Sequence, residues 1–481
     1  MPTDSKFNLN VEFVAESTAG EVVQGHGIEI THGTVIDSRK VKPGDLFVPL
    51  QGENTDGHSF LSDALERGAS GVLIAKSRLN EFTRILDNYK HRSFAVAVTD
   101  PLAAMQDLAA AWLKLLKTTV IGVTGSVGKT TTKGLINAGL AGFGPVKATP
   151  GNYNNAIGLP LSVLTITPAD IWTVLEYGTS GFGEITFLSG IARPKIAVIT
   201  GVSGSHLQTL KDLDGVARAK AELVKALPKG GTAILNADDP RVRAMAEYAD
   251  NVIFFGRSED ADIRILSVHI TRDMKTFCKL SAAGEEITVK LNLLGLQHAG
   301  NFAAAVGVAM ALGLDVRKFA NACQSFKGEP MRMEVLRTPK GIVVNDAYNS
   351  SLTSIIAALS TLAQVNRPIT VVLGDVLETG TGARELHREI GRAVAHSNAK
   401  LFVALGEKMA IAADAAVQAG MDKAAVHLAI DHKQASELVL SLSEKQPIVL
   451  VKGSRGMKME LIAKTLKSIW NINNPEPNME Q

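Results

Sequence analysis

Apolar residues fall along this chain in two kinds of pattern. In the first, short apolar runs continue without alternation: VIGV (120–123), IAVIT (196–200), TAILN (232–236), IVVND (342–346), ITVVLGD (369–375), LFVALG (401–406) and PIVLVKGS (447–454). Such runs read as strands covered on both faces, as in a parallel sheet with helices packed on each side. In the second, apolar positions recur every three or four residues, as in LAAMQDLAAAWLKLL (102–116) behind Pro101 and in TSIIAALSTLA (353–363). That spacing predicts helices with one buried face. NFAAAVGVAMALGL (301–314) is apolar nearly all round but shorter than the ~20 residues a bilayer span needs, so it is expected to be a buried helix.

These elements group into three units. In the first hundred residues, Leu46–Leu50 and Gly71–Ala75 read as strands, with SFLSDALERGA between them at helical spacing, a small α/β unit. From Thr119 to about Phe326 the order strand, Gly-rich turn, helix repeats, and VIFFG, ADIRILSVHI and EEITVKLNL (within 250–293) are expected to be antiparallel strands inserted before the helix at 301. The last unit reads as a Rossmann-like half, although no GxGxxG follows its first strand. The expectation is an α/β protein of three domains, 1–100, 101–327 and 328–481, with a frayed polar tail, NINNPEPNMEQ.

Charge and composition narrow the functional classes. Of 481 residues, 50 are Lys or Arg and 48 Asp or Glu, a net charge of +2, which argues against a nucleic-acid binder. Only two cysteines are present, Cys278 and Cys323, too few and too far apart for a disulfide scaffold or a Cys-based zinc site. The opening MPTDSKFNLNVEF lacks a basic segment followed by an apolar run. A cytoplasmic protein with no integral membrane segment is expected.

The sharpest chemical signal is VIGVTGSVGKTTTKGL (120–135). A strand meets Gly125, Ser126, Val127, Gly128, Lys129, Thr130 and Thr131, and a helix follows. Glycines let backbone amides wrap a phosphate, the lysine reaches the β- and γ-phosphates, and the Thr130 hydroxyl is placed for Mg²⁺. Val123 stands where the commoner form of this loop has Gly, so this is the shorter TGxxGKTT variety. Such a loop serves kinases, motors, GTPases and ligases alike.

Neighbouring segments supply further candidates. Glu176 ends an apolar strand, where a second Mg²⁺ anchor is expected, although strand-end glutamates are common. His206 follows another strand and Lys220 sits in a helical stretch; alone, such a His is more often an ordinary surface or core residue and such a Lys almost always a solvated one. Asn152, Asn154 and Asn155 crowd GNYNNAIGLP, which fits either a polar substrate or simple turn chemistry. In the third unit Arg332 lies near the joint, and Asp346, Tyr348 and Asn349, then Lys452, Ser454 and Arg455, follow strands, the end of a doubly wound sheet where ligands bind.

Together these segments resemble the Mur ligase family, and within it the MurF type. The resemblance runs in order through DSRKVKPGDLF (37–47), GENTDGH (52–58), TGSVGKTTTK, GNYNNAIGLPL, GEI (183–185), ARAKAEL, LNADD (235–239), RMEV, AYN, LGDVLETG (373–380) and KGSRGM. It implies an ATP-dependent ligase of peptidoglycan synthesis that joins D-Ala-D-Ala to UDP-N-acetylmuramoyl-tripeptide through an acyl phosphate. It further implies that Asp37, Ser38 and Arg39 bind the uridine nucleotide and that Lys129, Thr130 and Thr131 bind ATP. Glu176 and His206 would hold Mg²⁺, expected as two ions, and Lys220 matches the lysine carbamylated in many members, where CO₂ turns a cation into an anionic oxygen ligand. Arg332 and Asp346 match residues that close onto ATP, and Asn301 keeps the last position of the family's adenine motif. A monomer is expected. The chain departs from the family at Tyr177 (usually Met), at Gly201 (usually within Thr-Asn), at Gln297 and His298 (usually His-Asn), at Asn345 (usually Asp) and through Ser350, Ser351 and Leu352 (usually Ala-Asn-Pro). A paralogue joining another carboxylate and amine, or a nucleotide-binding pseudoenzyme, are the alternative readings.

Overall fold

Three large sheets, each largely parallel, carry the chain, and Leu9–Asn10 pairs antiparallel with Glu29–Ile30 in a fourth, two-stranded one. The computed structural model of the protein describes residues 9–472 except 54, 205, 206 and 366, so the polar tail falls almost wholly outside the described residues. The first sheet has five strands in the order Glu21–Gln24, Phe94–Val98, Gly71–Ala75, Leu46–Phe47 and Thr34–Val35, parallel except for the first pair. The strand expected over 46–50 ends at Phe47, just before Pro49, which has no N–H for the ladder. Asp100 caps the connecting helix Pro101–Leu115, its carboxylate accepting from the Leu102 amide at 2.8 Å.

The central sheet has nine strands. From one edge they run Glu285–Leu291, Thr276–Ala282, Ile263–Ile270, Asn251–Gly256, Thr232–Asn236, Ile196–Ile199, Thr119–Thr124, Trp172–Glu176 and Val146–Ala148. Only the first three are joined antiparallel. The VIFFG strand, expected to be antiparallel, lies parallel to its neighbours on both sides. The helical segment before it (Pro240–Arg243 and the turn after) is a crossover, which returns the chain in the same direction. Trp172–Glu176 and Ile196–Ile199 flank Thr119–Thr124 on opposite sides. The winding therefore reverses at that strand, and a crevice opens beyond its carboxyl end.

Helix His298–Ala311 has 11 of its 14 residues buried, because it packs between this sheet and helix Lys129–Ala141. Gly139 in turn lets helix Val316–Cys323 approach helix Lys129–Ala141: a Cβ on Gly139 would stand 2.3 Å from the Phe319 ring. No helix among the described residues is long and apolar enough to cross a membrane.

The third sheet has six strands in the order Glu334–Thr338, Gly341–Asp346, Ile448–Lys452, Ile369–Gly374, Ala399–Leu405 and Val426–Ala429, parallel after the first antiparallel pair. The second and third units share a core. Ile270, Met274 and Leu294 of the central unit lie in one buried cluster with Ile355, Leu359 and Leu362 of helix Leu352–Ala363. Burying each such side chain contributes roughly 1.5–3 kcal/mol. Polar bonds register the contact: the Ile270 amide donates to Gln364 Oε1 at 2.9 Å and Arg337 Nη2 to the Asp273 carbonyl at 2.7 Å.

Candidate active site

The crevice beyond Thr119–Thr124 is where the candidate residues of two units meet. Gly128, at φ +86°, turns the chain into helix Lys129–Ala141 and leaves its amino end facing the crevice. A Cβ at Gly128 would stand 2.4 Å from Asn301 Oδ1. Asn301 is thus packed on the loop, accepting from Thr132 Oγ1 at 3.3 Å and paired with His298 Nδ1 at 3.3 Å. Burial pushes the His298 imidazole down to a pKa of about 4, so it sits neutral. The Lys129 ammonium lies back on the Gly125 carbonyl at 2.7 Å. Burial lowers its pKa, nearby Arg332 adds to the effect, and Glu176 opposes it.

Register places Glu176 opposite Val123, at the same end of the sheet as the loop. It is buried, and each carboxylate oxygen has a donor: Thr130 Oγ1 at 3.0 Å on Oε2 and Asn154 Nδ2 at 2.8 Å on Oε1. Arg332 crosses from the third unit, with Nη2 3.1 Å from Thr130 Oγ1 and its guanidinium 3.9 Å from the centre of the Tyr348 ring. Ser126 binds the loop after Ile196–Ile199, its hydroxyl donating to the Ser203 carbonyl at 3.0 Å and its amide to the Gly201 carbonyl at 3.0 Å. Val127 is exposed at the loop tip, and Thr131 is buried.

Lys220, on helix Leu213–Lys225, is buried. Its pKa is pushed down to about 7, first by burial and then by the Lys129 charge, with Glu184, Glu222 and Glu176 opposing. His206 lies outside the described residues. Among the described residues, no three His, Cys, Asp or Glu side chains are grouped to hold a metal. Thr130 and Glu176, a hydroxyl and a carboxylate in contact, are the hard oxygen donors that Mg²⁺ takes.

The expected substrate contacts divide. Asn152 is exposed and Asn154 faces Glu176, but the Asn155 side chain, though exposed, is taken up by its own turn, accepting from the amides of Ile157 and Gly158. Lys452 is 2% exposed, with Nζ 2.6 Å from Asp346 Oδ2 and 2.9 Å from the Asn349 carbonyl. Ser454 is buried and accepts from the Leu377 amide at 2.9 Å. Lys452 and Ser454 therefore brace the strand ends, whereas Arg455, Tyr348 and Asn349 reach the surface of the cleft. Arg39 is exposed and forks onto its own neighbour Asp37 with two bonds of 2.9 Å, beside buried Ser38.

Sequence reading passed over Lys133. It lies one helical turn beyond Lys129 and is 2% exposed, with Nζ donating to the carbonyls of Thr149 and Gly151 at 2.8 Å each and standing 3.9 Å from Glu176 Oε2. The available signal was its i+4 spacing from Lys129, which puts both on one helix face.

Three family profiles match the chain in order: the Mur ligase family catalytic domain at 30–112, the Mur ligase middle domain at 123–309 and the Mur ligase glutamate ligase domain at 331–455. The UDP-N-acetylmuramoyl-tripeptide--D-alanyl-D-alanine ligase of Bacillus subtilis is 35% identical over 91% of this chain and 93% of its own length. The chain belongs to the Mur ligase family. The enzyme of the same name from Escherichia coli is 29% identical over 92% of this Mur ligase and 95% of itself. Among solved structures, MurF from Acinetobacter baumannii superposes with a TM-score of 0.84 at 25% identity, covering 97% of this chain and 100% of that one. MurF from Thermotoga maritima in complex with ADP gives 0.80 at 27% identity, covering 92% and 99%.

Departures of this Mur ligase from its family lie both at the crevice, where His298 pairs with Asn301 beside the phosphate loop, and away from it. Tyr177 is fully buried behind the strand, its phenol donating to the Ala192 carbonyl, and burial raises its pKa. Gly201 contributes a carbonyl, not a side chain, to the phosphate loop. Gln297 is exposed beside Gly295.

Proposed function

We propose that this Mur ligase joins D-alanyl-D-alanine to UDP-N-acetylmuramoyl-tripeptide with cleavage of ATP, as the names of its relatives describe for them. The observation that carries the reading is the convergence of Lys129, Thr130 and Glu176 from the central unit with Arg332 from the third. A carboxylate is a poor acylating agent because oxide is a poor leaving group. The reaction has two steps: the substrate carboxylate takes the γ-phosphoryl from ATP, breaking its bond to ADP, and the dipeptide amine then attacks the acyl carbon, losing a proton as phosphate departs. The chain must hold two anions together, which calls for cations. Lys129 from the central unit and Arg332 from the third would supply them.

Thr130 and Glu176 would hold one Mg²⁺, and Lys220, once carbamylated, would offer oxygen ligands for a second together with His206. Bound Mg²⁺ would neutralise phosphate charge. A lysine with a pKa of about 7 is substantially a free amine at neutral pH, the form that adds CO₂. Asp37, Ser38 and Arg39 would receive the uridine nucleotide, Asn152 and Asn154 the polar peptide substrate, and Tyr348, Asn349 and Arg455 the incoming dipeptide. ATP dependence fits a cytoplasmic setting, and a monomer is proposed with it.

The test is phosphate release from ATP with both substrates present. Release that needs both, and that is lost in a folded Lys129→Ala protein, is expected. ATP binding without release would favour the pseudoenzyme; release with another amine would favour the paralogue. Full activity in Lys129→Ala would refute the reading.

A further inference from the structure

Arg332 reaches the phosphate loop from an unusual piece of backbone. Both of its neighbours are non-glycine residues in the left-handed region, Met331 at φ +60° and Met333 at φ +51°. L-residues with side chains disfavour that region, so the elbow persists only where its surroundings hold it. On one side, Glu334 Oε2 accepts from the Met331 amide at 3.1 Å and from Asn345 Nδ2 at 3.0 Å. On the other, Asp346 Oδ1 accepts from the Met333 amide at 3.0 Å, and the Met331 carbonyl accepts from the Tyr348 amide at 3.1 Å. All of these anchors belong to the third unit, while the guanidinium they present touches Thr130 of the central one.

We propose that Glu334 is a positioning residue: it clamps the left-handed elbow at 331–333 so that Arg332 is delivered to the phosphate loop. The inference rests on the ligase reading above and deepens it. Glu334 touches no reacting group; it acts through Arg332. Without its carboxylate the Met331 amide loses its acceptor, the elbow relaxes towards ordinary backbone angles, and the Arg332 side chain swings off Thr130. Both Glu334 bonds end on the same oxygen, so an amide oxygen in that place serves as well as a carboxylate.

The experiment is a mutant cycle read by phosphate release and, where turnover is slow, by affinity for a fluorescent ADP. Glu334→Ala is expected to lower kcat/KM for ATP about tenfold to a hundredfold, as for the loss of a hydrogen bond to a charged group. Glu334→Gln should stay within about threefold of the unsubstituted chain, since the amide keeps the acceptor. Met331→Gly removes the left-handed penalty, so added to Glu334→Ala it should restore most of the loss. In an Arg332→Ala background, Glu334→Ala should cost nothing further. Equal losses from Glu334→Ala with and without Arg332, or a Gln variant as poor as Ala, would overturn the proposal. If Glu334→Ala does not fold, Glu334→Asp, too short to reach both donors, takes its place in the cycle. An unsubstituted chain that releases no phosphate refutes the ligase reading instead.

Discussion

Lys133→Met removes a buried cation while keeping most of its volume, and the structure sets the size of the effect. At 3.9 Å from Glu176, and with an effective dielectric constant of ~20, the attraction is about 4 kcal/mol before desolvation is counted. Desolvation works against the pair, and burial does lower the Lys133 pKa, with Glu176 and Glu329 opposing. Removing one partner is different from never having built the pair. It leaves the Thr149 and Gly151 carbonyls without their donor and Glu176 without its cation, a loss of about 3–5 kcal/mol. That is a large part of the ~5–15 kcal/mol that holds a domain folded. One midpoint does not describe a chain of several units, so the signal must come from the central one. Of the three tryptophans, Trp470 lies in the last helix, Glu460–Ile472. A Trp470→Phe background leaves Trp112 and Trp172 to report urea unfolding. Lys133→Met should lower central-unit stability by about 3–5 kcal/mol, and by less than half that in a Glu176→Gln background, where no carboxylate is left uncompensated. A loss under about 1 kcal/mol, or the same loss in both backgrounds, refutes the argument.

Three further outcomes follow from particular contacts. Gly128→Ala forces a Cβ against Asn301 at a left-handed position, so affinity for ATP, measured by titration, should fall at least about tenfold while the sheet stays folded. His298 has a pKa of about 4 in the folded chain against an ordinary 6.5, so between those values the unfolded chain binds a proton that the folded chain refuses. Its stabilising contribution is full above pH 6.5 and falls by about 3 kcal/mol as pH drops to 4; urea midpoints at pH 4.5 and 7 should differ less in His298→Gln than in the unsubstituted chain. Tyr177→Phe strips the Ala192 carbonyl of its donor, costing about 1–2 kcal/mol in thermal unfolding, yet leaves phosphate release unchanged because the ring points away from the crevice.

Much of the scaffold was legible because buried parallel strands announce themselves. TAILN is a strand over the residues that were expected, Thr232–Asn236, and Glu176 could be set at a strand end from its apolar run alone. Direction of pairing was not legible. VIFFG has the composition of either kind of strand, and only the crossover before it decides that it runs parallel. The strand Thr276–Ala282 was missed although alternate residues are buried, because Lys279 and Ser281 break the apolar run. Side-chain fate was harder still. Lys133 and Lys452 look like solvated lysines in the sequence. One is buried by a turn that folds over it from residues 149–151, the other by a strand paired in register across 106 positions of chain. The elbow at 331–333 carries no glycine to advertise it.

The cluster that joins the central hairpin to helix Leu352–Ala363 bears on how the protein is made. Translation delivers the hairpin first and the last sheet afterwards, and domains tend to fold in the order they emerge. Ile355, Leu359 and Leu362 therefore leave the ribosome with a finished surface waiting for them, and assembly runs from the amino end to the carboxyl end. An isolated carboxyl-terminal fragment would keep the part of that cluster built from its own strands and helices, but would expose to water the part that Ile270, Met274 and Leu294 cover, inviting self-association there.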